Sequence, residues 1–285
     1  MPLTKFLLMS DTHNDYFPAP ASLPQVDVLL HAGDLTQIGG ISSFKRAISA
    51  LDQVQAELKL VIAGNHDVSL DAKWWAENLD EDEDNPNEPA HALQLFEDAK
   101  ARGIHLLQEG THHFTLSNGS SFTIYASPYT PAFNGYAFSY GPDEDRFNPN
   151  PAALTPIPGG VDIVMTHGPP KLDDLYANYN LDINHLGEHC GCPKLAEALQ
   201  RVRPKLHCFG HLHEGYGAAS IRLSGQELIV NEPPLERKPG HAEIAAPVIG
   251  KNDGLLINAA LQDEEDQRGS VPWVVSLGLS EAKGA

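Results

Sequence analysis

Five short apolar runs recur along the chain, and each ends in polar residues. They are KFLLMSDTH (5–13), VDVLLHAGD (26–34), KLVIAGNHD (59–67), VDIVMTHG (161–168) and KLHCFGHLH (205–213). The apolar parts are four to six residues long, rich in Val, Ile and Leu and without a helical period. That is how strands buried on both faces read. A sixth run, LLINAA (255–260), reads the same way.

Helical periods lie between the runs. In 41–58, Phe44, Ile48, Leu51, Val54 and Leu58 stand three or four residues apart, one apolar stripe. In 192–204, Pro193 suits a first turn, Leu195, Leu199 and Val202 share a face, and Pro204 is a stop. The segment 90–103 ends in a basic residue and a glycine, a plausible helix terminus. Alternation in 112–127 with Asn-Gly at its centre predicts a β-hairpin. Two stretches read as loop excursions: 77–89, with seven acids and no base, and the Pro/Gly-rich 218–253. Interleaved strands and helices make the chain α/β. Its 285 residues, without a repeat or clear linker, suit one domain over 1–285.

Composition narrows the partners. The chain is 41% hydrophobic and 20% charged, ordinary for a globular protein, with 38 acids against 19 bases and a formal charge of −19. That balance disfavours a large nucleic-acid surface, where phosphate contacts need Lys and Arg, and disfavours anionic membranes. No signal peptide or spanning segment is visible. Cys190, Cys192 and Cys208 are too few and too odd in number for a disulfide framework. The expectation is a reduced, intracellular protein with a small substrate.

The chemistry gathers at one place in the pattern. Asp11, His13, Asp34, Asn65, His66, His167, His211 and His213 all follow the C-terminal ends of apolar runs. In open α/β sheets ligands bind beyond those ends. Carboxylate, imidazole and amide donors without thiolates suit Mn, Fe or Zn. An aspartate can bridge two ions roughly 3.5–4 Å apart. Each fragment alone has a plainer reading as a turn, an N-cap or a surface histidine. All five in this order are hard to obtain by chance.

The ordered set DTH (11–13), GD (33–34), GNHD (64–67), THG (166–168) and GHLH (210–213) resembles the calcineurin-like metallophosphoesterases. The wording SDTHND, LLHAGDLT, THGPP, GCPKL and FGHLHEGYG is similar to their subgroup of metallophosphoesterase-domain-containing proteins. The resemblance implies a four-layer α/β/β/α sandwich of two mixed β-sheets flanked by helices. It implies two metal ions (Mn2+, Fe2+/Fe3+ or Zn2+) bridged by Asp34 and a water or hydroxide. One ion would take Asp11, His13 and His213, the other Asn65, His167 and His211. His66 would stand near the scissile phosphate and protonate the leaving oxygen, with Asp67 a possible orienting partner. In an extended strand His211 and His213 would project together, with Leu212 turned away. His31 reads as a strand residue hydrogen-bonded near the site. His185 and His189, after THGPP, are candidates to line the substrate cleft. Cys190 and Cys192 read as a loop-to-helix junction.

Within that family, GDLTQIGG lacks the arginine of the protein Ser/Thr phosphatases and the tyrosine of the purple acid phosphatases. The subgroup is associated with cyclic nucleotides. The expectation is a metal-dependent phosphodiesterase, with cyclic nucleotides as leading substrates and aryl phosphates as model ones. The alternatives are a non-catalytic metal-binding scaffold of the same fold, or a protein Ser/Thr phosphatase.

Overall fold

The computed structural model describes residues 1–172, 179–224, 227–250, 253–262 and 270–282. Strands run in chain order as β1 (Leu3–Met9), β2 (Val28–His31), β3 (Leu58–Val61), β4 (Ile104–Leu106), β5 (Gly110–Thr115), β6 (Ser120–Ser127), β7 (Thr130–Pro131), β8 (Ser139–Tyr140) and β9 (Ile163–Thr166). They continue as β10 (Leu206–Phe209), β11 (Gly217–Ser224), β12 (Glu227–Asn231), β13 (Leu235–Lys238), β14 (His241–Ile244), β15 (Asp253–Asn258), β16 (Trp273–Gly278) and β17 (Ser280–Glu281). The α-helices are α1 (Ile41–Asp52), α2 (Ala72–Asn78), α3 (Glu88–Ala99) and α4 (Pro193–Val202).

One sheet has the order β13-β14-β16-β1-β2-β3-β4, parallel from β1 to β4 and antiparallel where β16 joins β1. The other has the order β12-β11-β15-β10-β9-β6-β17, with β5 hairpinned onto β6. Its centre, β6-β9-β10-β15, is parallel, and β11 turns antiparallel against β15. Both sheets are therefore mixed.

Strand parity sets the layers. Phe6, Leu8, Leu30 and Leu60 meet Ile124, Ile163, Met165, Leu206 and Ile257 between the two sheets. The alternate residues Leu7, Met9, Leu29 and Val61 face outward onto Phe44, Ile48 and Leu51 of α1 and Phe96 of α3. On the far side Tyr125 and Val164 take Leu195, Ala198 and Val202 of α4. The result is the four-layer α/β/β/α sandwich.

Local boundaries depart from the sequence pattern in three places. Helix α1 stops at Asp52: Val54 is buried after the helix, and Leu58 opens β3. The apolar stripe continued because turn and strand share the core that the helix covers. The acidic stretch 77–89 is mostly exposed, but Glu77 and Asn78 close α2, and Glu88 and Pro89 open α3. Nor is 218–253 a loop excursion, since it contributes most of β11 and all of β12, β13 and β14. Pro233, Pro234, Pro239 and Gly240 fall between strands, so they punctuate a run of short strands rather than abolish it. Among the described residues no helix is long and apolar enough to cross a membrane.

Candidate metal centre

The loops after β1 and β2 are stitched by backbone hydrogen bonds. Asp11 N donates to Gly33 O at 3.0 Å, His13 N to Asp34 O at 3.1 Å and Asn14 N to Leu35 O at 3.0 Å. The chain reverses so sharply that Asp11, His13, Asp34 and His211 adopt positive φ, at 54°, 43°, 53° and 71°. Such a conformation costs a non-glycine residue about 1–3 kcal/mol and persists only where the surroundings over-determine it. Four of the seven predicted ligand residues carry that strain.

The approach is close enough to require glycine beside the carboxylates. A Cβ on Gly210 would stand 2.1 Å from Asp11 Oδ2, and one on Gly64 would stand 2.2 Å from Asp34 Oδ1. The glycines of GNHD and GHLH are thus fitted to the aspartates of neighbouring loops.

The predicted side chains converge. Asp11 Oδ1 lies 3.4 Å from His213 Nε2, and Asp11 Oδ2 accepts from His211 N at 3.0 Å. Asp34 Oδ2 lies 3.8 Å from His13 Nε2 and 3.4 Å from His167 Nε2, between the two rings. Its other oxygen accepts from His66 N at 2.8 Å. Asn65 Oδ1 lies 2.8 Å from His167 Nε2, and the His211 ring lies 5.0 Å from the His167 ring. Two groups with ligand atoms within 4.8 Å of one another result: Asp11, His13 and His213, and Asp11, Asp34 and His167.

Backbone carbonyls set the histidine tautomers, because a carbonyl only accepts. His13 Nδ1 faces Thr36 O at 3.1 Å, His167 Nδ1 faces Ala32 O at 2.8 Å, and His66 Nδ1 faces Gln37 O at 2.6 Å. All three rings therefore carry hydrogen on Nδ1. His13 and His167 turn Nε2 into the centre, the usual arrangement of an oriented metal-ligating histidine.

The donor set fits metal ions. Asp11 Oδ1 and His13 Nε2 are buried without a hydrogen-bond partner, which is costly unless a cation takes them. His167 Nε2 lies 2.8 Å from the Asn65 oxygen, a contact between two acceptors unless a proton or a cation stands between them. Burial alone would lower the His167 pKa, but the charge and hydrogen bond of Asp34 raise it to about 9. Burial would likewise raise the Asp11 carboxyl, yet the His213 imidazole 3.4 Å from Oδ1 and the neighbouring His167 and His13 rings hold it well below the usual carboxylate range. The centre favours a cation at this spot.

Two expectations need correction. Asp67 does not orient His66. Its carboxylate accepts from Leu35 N (3.1 Å), Thr36 N (2.9 Å), Thr36 Oγ1 (2.8 Å) and Gly64 N (2.9 Å), tying the loop after β2 to the loop after β3. The His66 ring is held by Gln37 instead. And His211 and His213 are not on an extended strand. β10 ends at Phe209, His211 is left-handed, and His213 opens a 3₁₀ turn. The turn sends His211 toward His167 and His213 toward His13, whose rings are 5.7 Å apart.

His31 is fully buried with Nε2 2.9 Å from Thr12 Oγ1, beside the centre. His185 is exposed, and His189 bonds Asp182 Oδ1 through Nδ1 at 2.7 Å. Among the described residues, neither shares a hydrogen bond or ring contact with the clustered side chains. Cys192 caps α4, its sulfur accepting from Leu195 N at 3.4 Å. The carbonyls of Thr36 and Gln37, and the aromatic pair Phe133 and Tyr136, were not anticipated. Backbone acceptors leave no mark in a sequence, but the aromatic–Asn-Gly–aromatic run FNGY (133–136) does.

A two-sheet α/β sandwich thus gathers Asp, Asn and His donors beyond its parallel strand ends, a set that could hold metal ions. Residues 4–215 match the family model described as calcineurin-like phosphoesterase, and the chain belongs to that family. It is 34% identical over 236 residues to human "Metallophosphoesterase domain-containing protein 1", covering 80% of this chain and 65% of that one. The chain thus spans somewhat under two thirds of that relative. It is also 34% identical over 217 residues to "Probable rhamnogalacturonate lyase C" of Emericella nidulans, covering 75% of this chain but 18% of that longer one. The crystal structure of TT1561 of Thermus thermophilus superposes with a TM-score of 0.46 at 11% identity, covering 80% of this chain and 88% of that one.

Proposed function

We propose that the chain hydrolyses small phosphodiesters, cyclic nucleotides foremost, at a centre holding two metal ions of Mn2+, Fe2+/Fe3+ or Zn2+. The observation that carries this reading is the Asp34 carboxylate, whose Oδ2 lies 3.8 Å from His13 Nε2 and 3.4 Å from His167 Nε2, beside two donor groups that share Asp11. Asp11, His13 and His213 would hold one ion, Asn65, His167 and His211 the other, and Asp34 would join them. When bound, the ions would supply Lewis acidity, neutralising phosphoryl oxygens and lowering the pKa of the attacking water.

The chain's own residues do the rest. The carbonyls of Thr36 and Ala32 keep the His13 and His167 rings turned inward, so the donors are positioned before any ligand arrives. His66 is only half-buried, and its ring packs 4.9 Å from His13. With Nδ1–H fixed on Gln37 O, His66 can carry a second proton only at Nε2. That proton would pass to the leaving oxygen as the bond to phosphorus breaks, and the ring would return to its starting tautomer. A net charge of −19 supports a small ester over a nucleic-acid chain.

A substrate panel after chelation tests the reading. Bis-p-nitrophenyl phosphate and the 2′,3′- and 3′,5′-cyclic nucleotides are offered with Mn2+, Fe2+, Zn2+ or Mg2+. Metal-dependent turnover of the diesters is expected. A metal-loaded protein that hydrolyses none of them is a scaffold, and the proposal fails.

A further inference from the structure

One loop outside the ligand set leans on the centre. Between β7 and β8 the chain reads AFNGYAF (132–138), aromatic residues on both sides of an Asn-Gly turn. One of them anchors the loop and two do not. Phe138 is buried in the outer core, with its ring 5.7 Å from Tyr129. Phe133, by contrast, is 37% exposed, and Tyr136 is half-buried.

This partly exposed pair is arranged against His66 and His211, both themselves half-buried. The Tyr136 ring lies 4.7 Å from the His66 ring at an interplanar angle of 36°. The Phe133 ring lies 5.2 Å from Tyr136 at 32° and 5.1 Å from His211. Together the rings run from His66 through Tyr136 and Phe133 to His211, along the edge of the clustered side chains.

The Phe133 and Tyr136 pair is held rigidly from behind. Trp74 Nε1 donates to Gly135 O at 2.7 Å, and Phe138 N donates to Asp71 Oδ2 at 2.8 Å. Thr130 N donates to Phe138 O at 2.9 Å, and Ala132 N to Tyr140 O at 2.8 Å. Asn134 and Gly135 turn at positive φ, 47° and 74°, which fixes the spacing of the two rings. The same Asp71 caps α2 through Lys73 N and Trp74 N, so helix and loop share one anchor.

Rigid, partly exposed rings at the edge of such a cluster are what a planar group stacks upon, because every aromatic ring offers a π-face. We infer that Phe133 and Tyr136 form a stacking subsite for a planar aromatic substituent, nucleobase or aryl, on the phosphate ester. This rests on the reading of the centre as a phosphoester site, and it identifies the kind of group that site selects. Such a subsite adds no cation, in keeping with the acidic chain.

Equilibrium binding tests it without turnover. Calorimetry on the Mn2+-loaded protein compares methyl-, cyclohexyl- and phenylphosphonate, which share a head group and cannot be hydrolysed as esters. The non-hydrolysable 5′-phosphonate analogues of ribose 5-phosphate and adenosine 5′-monophosphate separate a nucleobase from a simple aryl ring. The wild type should bind phenylphosphonate about 5- to 150-fold more tightly than methylphosphonate, with the cyclohexyl compound well short of the phenyl one. The preference should fall toward unity in Phe133→Ala and Tyr136→Ala and return in Phe133→Trp. A phenyl-to-methyl ratio that neither alanine substitution changes overturns the inference. If the ratios behave as expected while no ester is hydrolysed, the subsite stands and the hydrolase reading fails. If diesters are hydrolysed but the ratios stay flat, the reverse holds.

Discussion

Replacing Asp67 with asparagine separates two accounts of that residue. In the structure each carboxylate oxygen accepts twice: Oδ1 from Thr36 N and Thr36 Oγ1, and Oδ2 from Leu35 N and Gly64 N. Burial and the charge of Asp34 push its carboxyl up to about 7, and the surrounding donors oppose that rise. Asparagine keeps one oxygen and turns an NH2 group toward the other pair of donors. Two buried donor groups then lose their acceptor, at about 1–3 kcal/mol each. The expected loss is about 2–6 kcal/mol, large beside the roughly 5–15 kcal/mol of a typical domain. Urea denaturation of the metal-free protein measures it, with the slope checked for a change in the unfolded state. Metal affinity should fall as well, since the stitched loops carry Asp34 and Asn65. A loss below about 0.5 kcal/mol, with turnover abolished, would refute the loop-staple role and return Asp67 to His66.

Three further outcomes follow from the same geometry. Gly210→Ala puts a methyl group on Asp11 Oδ2. It should cost about 1–3 kcal/mol and reduce bound metal, and unchanged metal content would contradict the close-approach argument. His66→Ala should retain metal while turnover drops about 10²–10⁴-fold, and unaltered turnover would remove His66 from the reaction. Burial lowers His207 from its usual 6.5 to about 3, so the folded chain keeps it neutral while the unfolded chain takes up a proton below 6.5. Stability present above pH 6.5 is therefore lost on acidification, by about 1.4 kcal/mol per pH unit. Denaturation between pH 6.5 and 5 should show a shallower slope in His207→Gln, and an unchanged slope would count against this assignment.

Much of this molecule is legible in its hydrophobic pattern, and for a physical reason. Parallel strands buried on both faces leave short apolar runs, and their C-terminal ends are where polar loops must converge. That pattern alone places Asp11, Asp34, Asn65, His167, His211 and His213 together. The strands β12, β13 and β14 escape it because they are only five, four and four residues long and are separated by Pro233, Pro234 and Pro239. Asp67 was paired with the wrong neighbour because adjacency in sequence says nothing about which way a carboxylate turns. Its donors include Leu35 and Thr36, about thirty residues away. Strand alternation was expected to align His211 and His213, but a left-handed residue and a tight turn separate the two rings.

The proposed hydrolysis of phosphodiesters would need two metal ions joined by Asp34. A titration of Mn2+ into chelator-stripped protein, followed by bis-p-nitrophenyl phosphate hydrolysis, tests it most directly. Activity should be absent without metal, rise to a plateau at two ions per chain, and vanish in Asp34→Asn. Turnover that survives chelation, or that is complete at one ion per chain, would contradict it.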